Sequence, residues 1–568
     1  MTPSTGSPPP RAAESKEAGA LAEKTARRTS GSSRKQRRIR ARVTATHVHF
    51  LPAVSADDRP CYPTSHRLDT AKTGRKGRPA VGQTEASAKC ETLDVEGSHG
   101  DHWLSHEKPR RRRVMPPSGH ERPRFSQPLT SIEICAGAGG QAVGLHNAGF
   151  DHLALVEWDA HAVSTLRANV GNWPRWTPEK ARKIDPMDVR DFLKSDVLSD
   201  LNLKPEKDDE AGPLDLLAGG VPCPPFSLAG RRLGRDDERD LFPAALEIID
   251  TLKPKAVMIE NVRGILEPPE FFIEYRNWIL RHLAKSGYVV PGVDTAQSAK
   301  AQDLAMRKIW RRLDASDFGV PQLRPRAILV AFHKSVLKEP SDFRWPLHVN
   351  TGRATVFDRL EPSMRERCEK FWDKNQRGEQ AQPGERTGKD VYDEWRAAAE
   401  KAAALGRGVA PTLVGGSRKH GGADLGPTRA KRAWAAMKVN AMGVANDPET
   451  CDAERDLFRE AGPMLTVEQA ATIQGFPRDW NFQGKKTARY RQVGNAFPPP
   501  VAEAVGRAIA AVLRPEHRDE LLANYTMDGS AAKAPGSEPE QMEISVSGTV
   551  TASPSIKDHS SNFAGASS

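Results

Sequence analysis

A cysteine set between prolines constrains the fold of this 568-residue chain more than any other feature. A largely apolar run over 214–218 is followed by Gly219-Gly220-Val221-Pro222-Cys223-Pro224-Pro225-Phe226-Ser227. Because proline lacks the N–H of a strand ladder and fixes φ, a strand that reaches these prolines must turn into a rigid loop. Ligands bind at this carboxyl edge of open α/β sheets, and a thiol there can act as a nucleophile when neighbours lower its pKa. Cys223 is therefore a candidate nucleophile, although an isolated Pro-Cys is more often a buried cysteine in a turn.

The composition indicates that part of the chain does not fold. Apolar residues make up 38% of the sequence, below the roughly 45–50% of soluble globular domains. Residues 1–125 are rich in Ser, Pro, Arg and Lys without sustained periodicity, and the end of the chain is rich in Ser, Ala and Gly. We expect a disordered basic arm over 1–125 and a disordered tail over 516–568. The net charge of +11 suits a partner with a phosphate backbone, although a solvated arm explains it equally well.

The cysteines and the apolar runs exclude several classes of protein. The six cysteines form no C-x-x-C pair, so neither a zinc cluster nor a disulfide framework is predicted, and we expect no metal. The sequence has no run of 18 apolar residues and its start lacks the apolar core of a signal peptide. These features predict a cytosolic protein without a membrane-spanning segment.

Near the start of the predicted fold, a strand, a glycine loop and a helix follow one another. A strand over 131–135 leads into Ala136-Gly137-Ala138-Gly139-Gly140, and a helix is predicted over 141–148. Glycines permit a tight turn and let backbone N–H groups at a helix amino terminus approach a ligand. The loop alone fits many nucleotide sites and also plain structural turns.

The second predicted strand ends at Glu157-Trp158. An acidic residue about 20 residues after a glycine loop is placed to accept hydrogen bonds from ribose hydroxyls, and Trp158 could stack on an adenine. Asp188 is a candidate partner for the adenine amino group, with Asp185 and Asp191 as alternatives. Helix capping and core packing would explain these side chains without any ligand.

A carboxylate follows a later strand in the same way. A buried strand is predicted over 255–259, and it ends in Glu260-Asn261-Val262. Two neighbouring strand ends would then present the thiol of Cys223 and the carboxyl group of Glu260 to one pocket. A carboxylic acid that burial keeps protonated can donate to a ring nitrogen, which nucleophilic attack on a cytosine requires. The alternative for Glu260 is a salt-bridged strand end.

Taken together, the motifs over residues 130–512 resemble those of the bacterial DNA (cytosine-5)-methyltransferase family. The order along the chain also matches the family's order. The segments that carry the resemblance are 136–150, Glu157-Trp158, 219–230, Glu260-Asn261-Val262, Phe318-Gly319-Val320-Pro321-Gln322-Leu323-Arg324-Pro325-Arg326, 465–477 and Gln492-Val493-Gly494-Asn495-Ala496.

The resemblance implies an α/β fold, with a doubly wound, Rossmann-like methyltransferase sheet and a smaller target-recognition domain. The implied catalytic domain covers 126–336 and is completed by 463–515, and the recognition domain covers 337–462. The implied catalytic residues are Cys223, Glu260, Arg324 and Arg326. The implied cofactor-binding residues are Ala136, Gly137, Gly139, Gly140, Glu157, Trp158, Asp188, Pro222, Leu241 and Asn495. The implied DNA-binding residues are Ser227, Gln322, Arg418 and Arg429.

The same resemblance implies a reaction and its partners. S-adenosyl-L-methionine would be the methyl donor, and a cytosine flipped out of double-stranded DNA would be methylated at C5 through a bond between Cys223 and C6. We expect a monomer that associates with the nucleoid, either with a separately acting restriction endonuclease or as an orphan methylase. Two alternatives stay open: a tRNA cytosine-5 methyltransferase and a catalytically silent DNA-binding relative.

This sequence also departs from the family's pattern. The family usually has Asp-Leu-Phe where this chain has Glu133-Ile134-Cys135, so the aromatic residue that covers the cofactor adenine is missing. Val221 and Pro224 replace a more usual Pro and Gln around the cysteine. These departures concern cofactor affinity and loop geometry more than the chemistry.

Overall fold

The computed structural model describes residues 121–222, 240–415 and 424–529. Three residues that the sequence analysis assigns to a site, Cys223, Ser227 and Arg418, lie outside these ranges, as do residues 1–120 and 530–568 of the two predicted disordered ends.

A six-stranded sheet forms the centre of the fold, with strand order β2-β1-β3-β4-β7-β5. The first four strands of this order are parallel, and β7 is antiparallel to both of its neighbours. Two short pairs, β10-β8 and β6-β9, lie outside it. The strands are β1 Leu129–Ile134, β2 Phe150–Val156, β3 Leu216–Gly219, β4 Ala256–Val262, β5 Trp310–Asp314, β6 Gln322–Leu323, β7 Pro325–Phe332, β8 Pro346–Val349, β9 Ala410–Pro411 and β10 Tyr525–Met527.

Some helices cover both faces of this sheet, and others form the insert and the segment that follows it. The bounds of all the described helices are given together. They are α1 Gly140–Asn147, α2 Ala160–Asn169, α3 Pro178–Arg182, α4 Asp196–Ser199, α5 Phe242–Leu252, α6 Pro269–Lys285, α7 Ala299–Met306, α8 Val356–Glu369, α9 Gly388–Ala404, α10 Thr428–Ala436, α11 Ala453–Asp456, α12 Val467–Gln474, α13 Lys486–Asn495, α14 Pro499–Leu513 and α15 Arg518–Leu522. Among the described residues, no helix combines the length and apolar character needed to cross a membrane.

Alternating residues of β3 show that the sheet is buried on both faces. Leu217 packs in a cluster with residues of α5 and α6, whereas Leu216 and Ala218 pack in another cluster with residues of α1 and α14. Parallel strands covered by helices on both sides are nearly continuously apolar, as 214–218 is. The doubly wound α/β architecture expected from the sequence is therefore confirmed.

The register of the sheet brings several chain segments to one edge. Gly219, the last residue of β3, lies between Ile134, the last residue of β1, and Ile259 of β4. Because β7 runs antiparallel, its beginning lies at the same edge, with Arg326 opposite Val262. Four features therefore meet at one edge of the sheet. They are the glycine loop, the side chain of Glu260, the side chain of Arg326 and the segment that leads to Cys223.

The recognition insert packs as one body with the helices that follow it. Val356, Trp395 and Trp434 of the insert share a hydrophobic cluster with Ile473 of α12 and Tyr490 of α13. The side-chain amide of Gln469 on α12 also bonds to Ser363 of α8, at 3.1 Å. No break in packing therefore coincides with the predicted boundary at residue 462.

Two predicted boundaries are wrong because distant segments pair with each other. The strand β10 lies in the predicted tail, and it pairs with β8, with Tyr525 opposite Val349. Residues 337–349 therefore pack with the catalytic sheet rather than with the insert, and the folded part of the chain extends to at least residue 527.

The folded domain also begins before the predicted end of the amino-terminal arm at residue 125. Arg122 lies in the predicted arm, but its guanidinium donates to the carboxylate of Asp151 at 2.6 Å and to the carbonyl oxygen of His146 at 2.9 Å. These bonds attach residues 121–125 to the folded domain.

Candidate active site

A cavity of about 470 Å³ opens at the carboxyl edge of β1, β2, β3 and β4. Its wall contains nine of the residues that the sequence analysis assigned to the site: Ala136, Gly137, Gly140, Glu157, Trp158, Pro222, Leu241, Glu260 and Asn495. Asn495 reaches the cavity from α13, so the carboxyl-terminal part of the chain completes a pocket that is otherwise built by the first four strands.

The glycine loop brings backbone N–H groups to this cavity. Gly137 and Gly139 have φ of 55° and 87°, a conformation that favours glycine. Gly139 is the N-cap of α1 and supplies no side-chain cap, so N–H groups of the first turn are not capped by a side chain. A Cβ on Gly140 would overlap the carbonyl oxygen of Phe497. The loop therefore needs glycine both for its conformation and for close packing.

Glu157 and Trp158 lie at the end of β2, as predicted. The Glu157 carboxylate accepts hydrogen bonds from the backbone N–H groups of Gly137 and Asp159, both at 2.8 Å, which tie the loop to the strand end. Burial raises the pKa of Glu157, and these backbone hydrogen bonds oppose the shift. The Trp158 side chain is 76% exposed although it lines the cavity, which leaves the ring accessible to a ligand.

The predicted role of Asp188 does not fit its position. Its carboxylate caps the helical turn that begins at Val189 and forms an ion pair with Arg190 at 2.6 Å. Asp188 is not in the cavity wall, and the alternative Asp185 pairs with Arg167. Helix capping and ion pairing with nearby arginines explain the positions of these two carboxylates without a ligand. Helix capping was the alternative that the sequence analysis gave.

Glu260 and Arg326 form an ion pair at the cavity edge. The Arg326 Nε lies 2.6 Å from the Glu260 Oε1, and the two side chains are only 11% and 13% exposed. Burial raises the pKa of the Glu260 carboxyl, and the nearby charges of Arg326 and Arg324 oppose this shift without cancelling it. The site therefore favours the protonated acid more than water does.

Asn261 connects this strand end to the segment that leads to Cys223. Its side-chain amide donates to the carbonyl oxygen of Val221 at 2.8 Å, and the amide is buried. Because Val221 stands two residues before Cys223, the end of β4 fixes the backbone from which the Pro-Cys loop starts. Cys223 itself lies outside the described residues.

Comparisons with known proteins identify the family to which the chain is similar. Residues 129–511 match the family described as C-5 cytosine-specific DNA methylase. The Type II methyltransferase M.NaeI of Lentzea aerocolonigenes is 45% identical over 392 residues, which cover 69% of this chain and 76% of that protein. The Type II methyltransferase M.NgoMIV of Neisseria gonorrhoeae is 40% identical over 392 residues, which cover 68% of this chain and 99% of that protein. A solved structure of DNMT2 from Spodoptera frugiperda has a TM-score of 0.38 and 17% identity, covering 67% of this chain and 99% of that one.

The chain belongs to the C-5 cytosine-specific DNA methylase family. It is a DNA (cytosine-5)-methyltransferase, and the resemblance drawn from its motifs is confirmed.

Two residues of this methyltransferase occupy different positions from those expected. Arg324 is 1% exposed, and its guanidinium donates to the carbonyl oxygens of Leu413, Gly494 and Ala496 at 2.7–2.8 Å. Gln322 is fully buried, with its amide nitrogen bonded to Gln474 and its oxygen bonded to the N–H of Leu413. The hydrogen bonds described for Arg324 and Gln322 are made within the protein, so the structure gives no support to direct contacts of these residues with a nucleotide, and their assigned roles stay predictions.

The cavity wall also contains polar residues that the sequence analysis did not assign. Glu133 and Gln141 are 1% and 3% exposed, and no side-chain oxygen or nitrogen of either has a hydrogen-bond partner among the described residues. Burial raises the pKa of Glu133 well above its usual range. A buried polar group without a partner is costly, so both side chains are suited to a polar ligand. In the sequence, the only feature that drew attention to either residue was the presence of Glu133 where the family usually has Asp.

The three cysteines that the structure describes are poor candidates for the nucleophile. Burial and the nearby Glu157 carboxylate raise the pKa of Cys135, which lies in the cavity wall. Burial raises the pKa of Cys368 to about 12 and also raises that of Cys451. These thiols stay protonated at neutral pH, whereas a nucleophile must be a thiolate.

The remaining assigned residues are distributed as follows. Gly139 adjoins the cavity but packs against Trp480, whose indole N–H donates to the carbonyl oxygen of Ala138. Arg429 is exposed in the first turn of α10, just after the glycine-rich segment 416–423. Its position leaves it free to contact DNA, and its role stays a prediction.

Proposed function

We propose that this methyltransferase transfers a methyl group from S-adenosylmethionine to C5 of a cytosine flipped out of duplex DNA, through a covalent bond between Cys223 and C6. The observation that carries the proposal is the Glu260–Arg326 ion pair beside the hydrogen bond from Asn261 to Val221. These two contacts align an acid and the backbone that leads to a thiol at one edge of a donor-sized cavity.

The cavity suits S-adenosylmethionine on three grounds. The uncapped first turn of α1 can accept a carboxylate. The buried, unpartnered Glu133 and Gln141 can bind an ammonium group or other polar atoms. Trp158 presents an exposed ring for stacking on an adenine in place of the missing aromatic residue at Cys135. When bound there, S-adenosylmethionine supplies the methyl group.

The chemistry follows from the protonation states of the two groups. The Cys223 thiolate forms a bond to C6 while Glu260 gives a proton to N3, which makes C5 nucleophilic. After C5 has been methylated, a water molecule accepts the C5 proton, the electrons of that C–H bond restore the C5–C6 double bond, and the bond between sulfur and C6 breaks to return the Cys223 thiolate. Glu260 recovers its proton from N3, and Arg326 stabilises the Glu260 carboxylate while it is charged.

We propose that the insert is the DNA-recognition domain, and a substitution of Arg429 tests this assignment. If Arg429 binds a guanine edge, Arg429→Ala should reduce the discrimination between bases at one position of the target sequence by about 1–3 kcal/mol. If it contacts a phosphate, the same change should weaken methylation uniformly across sequences. Arg396→Ala on α9, where the arginine pairs with Glu400, is the matched control and should do neither. Unchanged kinetics in Arg429→Ala would remove this residue from the interface.

The two similar proteins named above are Type II methyltransferases, and we propose that this chain likewise protects the DNA of its host against a separately acting endonuclease. Bisulfite sequencing of DNA from a host that expresses the protein tests the reaction and identifies the target. One sequence should be methylated at cytosine, and Cys223→Ala should leave it unmethylated. DNA without methylation after expression of the folded wild-type protein would overturn the proposal.

A further inference from the structure

A second pocket, of about 290 Å³, lies beside β5, the outermost strand of the sheet. Among the described residues, this β5 pocket shares none of its wall with the cavity at the carboxyl edge. Its wall contains four cationic side chains, Arg307, Lys308, Arg311 and Arg344, and one carboxylate, that of Asp528. Because a cleft lined mainly by charges of one sign concentrates ions of the opposite sign, the β5 pocket favours an anion.

The four cations differ in their partners. Arg307 and Arg311 each pair with a carboxylate, at 3.1 and 3.5 Å. Lys308 and Arg344 are exposed, and neither forms an ion pair with a carboxylate among the described residues. The charges of Lys308 and Arg344 are therefore the ones available to a ligand.

Hydrogen bonds hold the wall of the β5 pocket in place. The buried Trp345 donates its indole N–H to the carbonyl oxygen of Lys308 at 2.9 Å and its backbone N–H to the carboxylate of Asp528 at 2.7 Å. The backbone N–H of Asp528 donates to the carbonyl oxygen of Trp345 at 2.9 Å. These bonds join the segment before β5 to the start of β8 and the end of β10, so the pocket is built from three segments that are distant in sequence.

The wall of the β5 pocket suits a phosphate group better than a base. Besides its charged residues it has one hydroxyl side chain, that of Ser341, and among the described residues it has no Asn or Gln to bind an adenine edge. Contacts of Arg, Lys and Ser with phosphate carry no sequence information. The volume corresponds to roughly ten water molecules in the liquid, which leaves room for a phosphodiester group but not for a base pair.

The β5 pocket is separated from the active site. The strand β5 runs toward the edge where Glu260 lies, since Leu313 is opposite Arg326 of β7. Arg307 and Lys308 precede the first residue of β5, so their backbones lie more than roughly 10 Å from that edge, at about 3.3 Å per residue. The strand is also two positions from β4, which places it about 10 Å to the side. A phosphate in this pocket therefore does not belong to the nucleotide that is methylated.

We propose that the β5 pocket is a second DNA-binding site, in which Lys308 and Arg344 bind a backbone phosphate of DNA outside the target sequence. The chain belongs to a family of DNA methylases, and the backbone of a long duplex supplies phosphates along its whole length. The site adds affinity for DNA of any sequence and takes no part in base recognition or methyl transfer. The inference depends on the family alone and not on the proposed roles of Cys223 or the insert.

The salt dependence of binding to a duplex without cytosine tests the site. Fluorescence anisotropy measures the Kd of the full chain for a dA·dT duplex of about 40 base pairs over a salt series. In Lys308→Gln/Arg344→Gln the slope of log K against log salt should become shallower by about 1–2, because each phosphate contact contributes about 0.9. At about 0.1 M salt the Kd should rise by about 5–50-fold, which follows from the same slope. The melting temperature and the rate of methylation of a short target duplex should not change, because both side chains are exposed and lie outside the active site.

A matched control removes the same net charge elsewhere. In Arg182→Gln/Lys207→Gln both substituted side chains are exposed and pair with nearby glutamates, and neither lies in the wall of the β5 pocket or of the cavity. This protein should keep the wild-type slope. If the double variant of the β5 pocket does not fold, Lys308→Gln and Arg344→Gln are measured singly, and each should make the slope shallower by about 1.

Three results would overturn the inference. The first is a wild-type slope in the folded β5-pocket variants, and the second is an equal change of slope in the control. The third is calorimetric binding of inorganic pyrophosphate that depends on Lys308 and Arg344 while the affinity for DNA does not, which would assign the pocket to a small phosphate compound. None of these results affects the proposed methyl transfer, which bisulfite sequencing tests separately.

Discussion

The side-chain amide of Asn261 donates a 2.8 Å hydrogen bond to the carbonyl oxygen of Val221. This bond joins the end of β4, where Glu260 lies, to the end of β3, from which the Pro-Cys loop begins. It is buried, so water cannot replace it without a change in packing. The position of Glu260 relative to the backbone that leads to the proposed nucleophile, Cys223, therefore depends on the Asn261 side chain, which has no role in the proposed chemistry.

The first prediction concerns this bond. Asn261→Ala should lower kcat by up to about 100-fold, because a displacement of about 1 Å at a reacting group has that effect. The KM for S-adenosylmethionine should change little, because Asn261 is not in the cavity wall. Steady-state kinetics with saturating DNA separates the two constants.

A matched control exists next to the β8–β10 strand pair, outside the cavity wall. The side-chain amide of Asn350 also donates to a carbonyl oxygen, that of Ala523, at 3.2 Å. Asn350→Ala should keep the wild-type kcat. An Asn261→Ala protein with unchanged kcat would show that the loop is positioned without this bond.

The second prediction concerns pH. The raised pKa of Glu260 keeps the acid protonated to higher pH than an ordinary glutamate, and the rate should decline as the pH rises through that pKa. Because the Arg326 charge opposes the rise, Arg326→Gln should move the alkaline decline to higher pH, at a lower maximal rate. Glu260→Gln should lower the rate strongly and remove the decline. Single-turnover rates over a pH series test this, and an alkaline decline that persists in Glu260→Gln would assign it to another group.

Parts of this site follow directly from local sequence. Glu157 and Glu260 were placed at the correct edge because each stands at the end of an apolar stretch of strand, and strand ends meet at one edge of a parallel sheet. The helix α2 begins at Ala160 because the side chain of the preceding Asp159 caps its first turn. Such features depend on neighbours in sequence.

Other parts depend on residues far away in the chain. Arg324 and Gln322 stand in a motif at a strand end. The guanidinium of Arg324 donates to Leu413 and Gly494, which lie 89 and 170 positions away in the sequence. Local sequence cannot show that such distant groups use these polar side chains inside the protein. The strand β10 is short and polar on one side, and it is stabilised by its pairing with β8. Local periodicity contains no information on such partners.

The third prediction concerns the ends of the chain. A protein comprising residues 115–529 should fold and methylate the same sequence, because the described contacts begin at 121 and no motif lies beyond 513. A protein that ends at residue 515 loses the buried Leu521 and Tyr525 and should be less stable by about 3–6 kcal/mol, at about 1.5–3 kcal/mol for each large side chain.

Denaturant unfolding and methylation assays distinguish these outcomes. If the 115–529 protein binds DNA more weakly only at low salt, the arm is a phosphate-binding segment rather than part of the specific site. A 115–529 protein that folds but loses its sequence specificity would contradict the prediction. Equal stability of the proteins that end at 515 and 529 would contradict the role assigned to β10.

The last prediction concerns Cys223. If its thiolate adds to C6, an enzyme–base bond exists until the C5 proton leaves, and fluorine at C5 cannot leave as a cation. DNA with 5-fluorocytosine at the target should therefore trap the protein after methyl transfer, in an adduct that survives denaturing electrophoresis and needs S-adenosylmethionine to form efficiently. Cys223→Ala should form no adduct, and Glu260→Gln should form it far more slowly because an amide cannot supply the proton at N3. Cys135→Ala is the matched control: its thiol lies in the cavity wall with a raised pKa, so its removal should leave the adduct in place. An adduct that persists in Cys223→Ala, or that peptide mass assigns to Cys135, would show that a different thiol attacks the base.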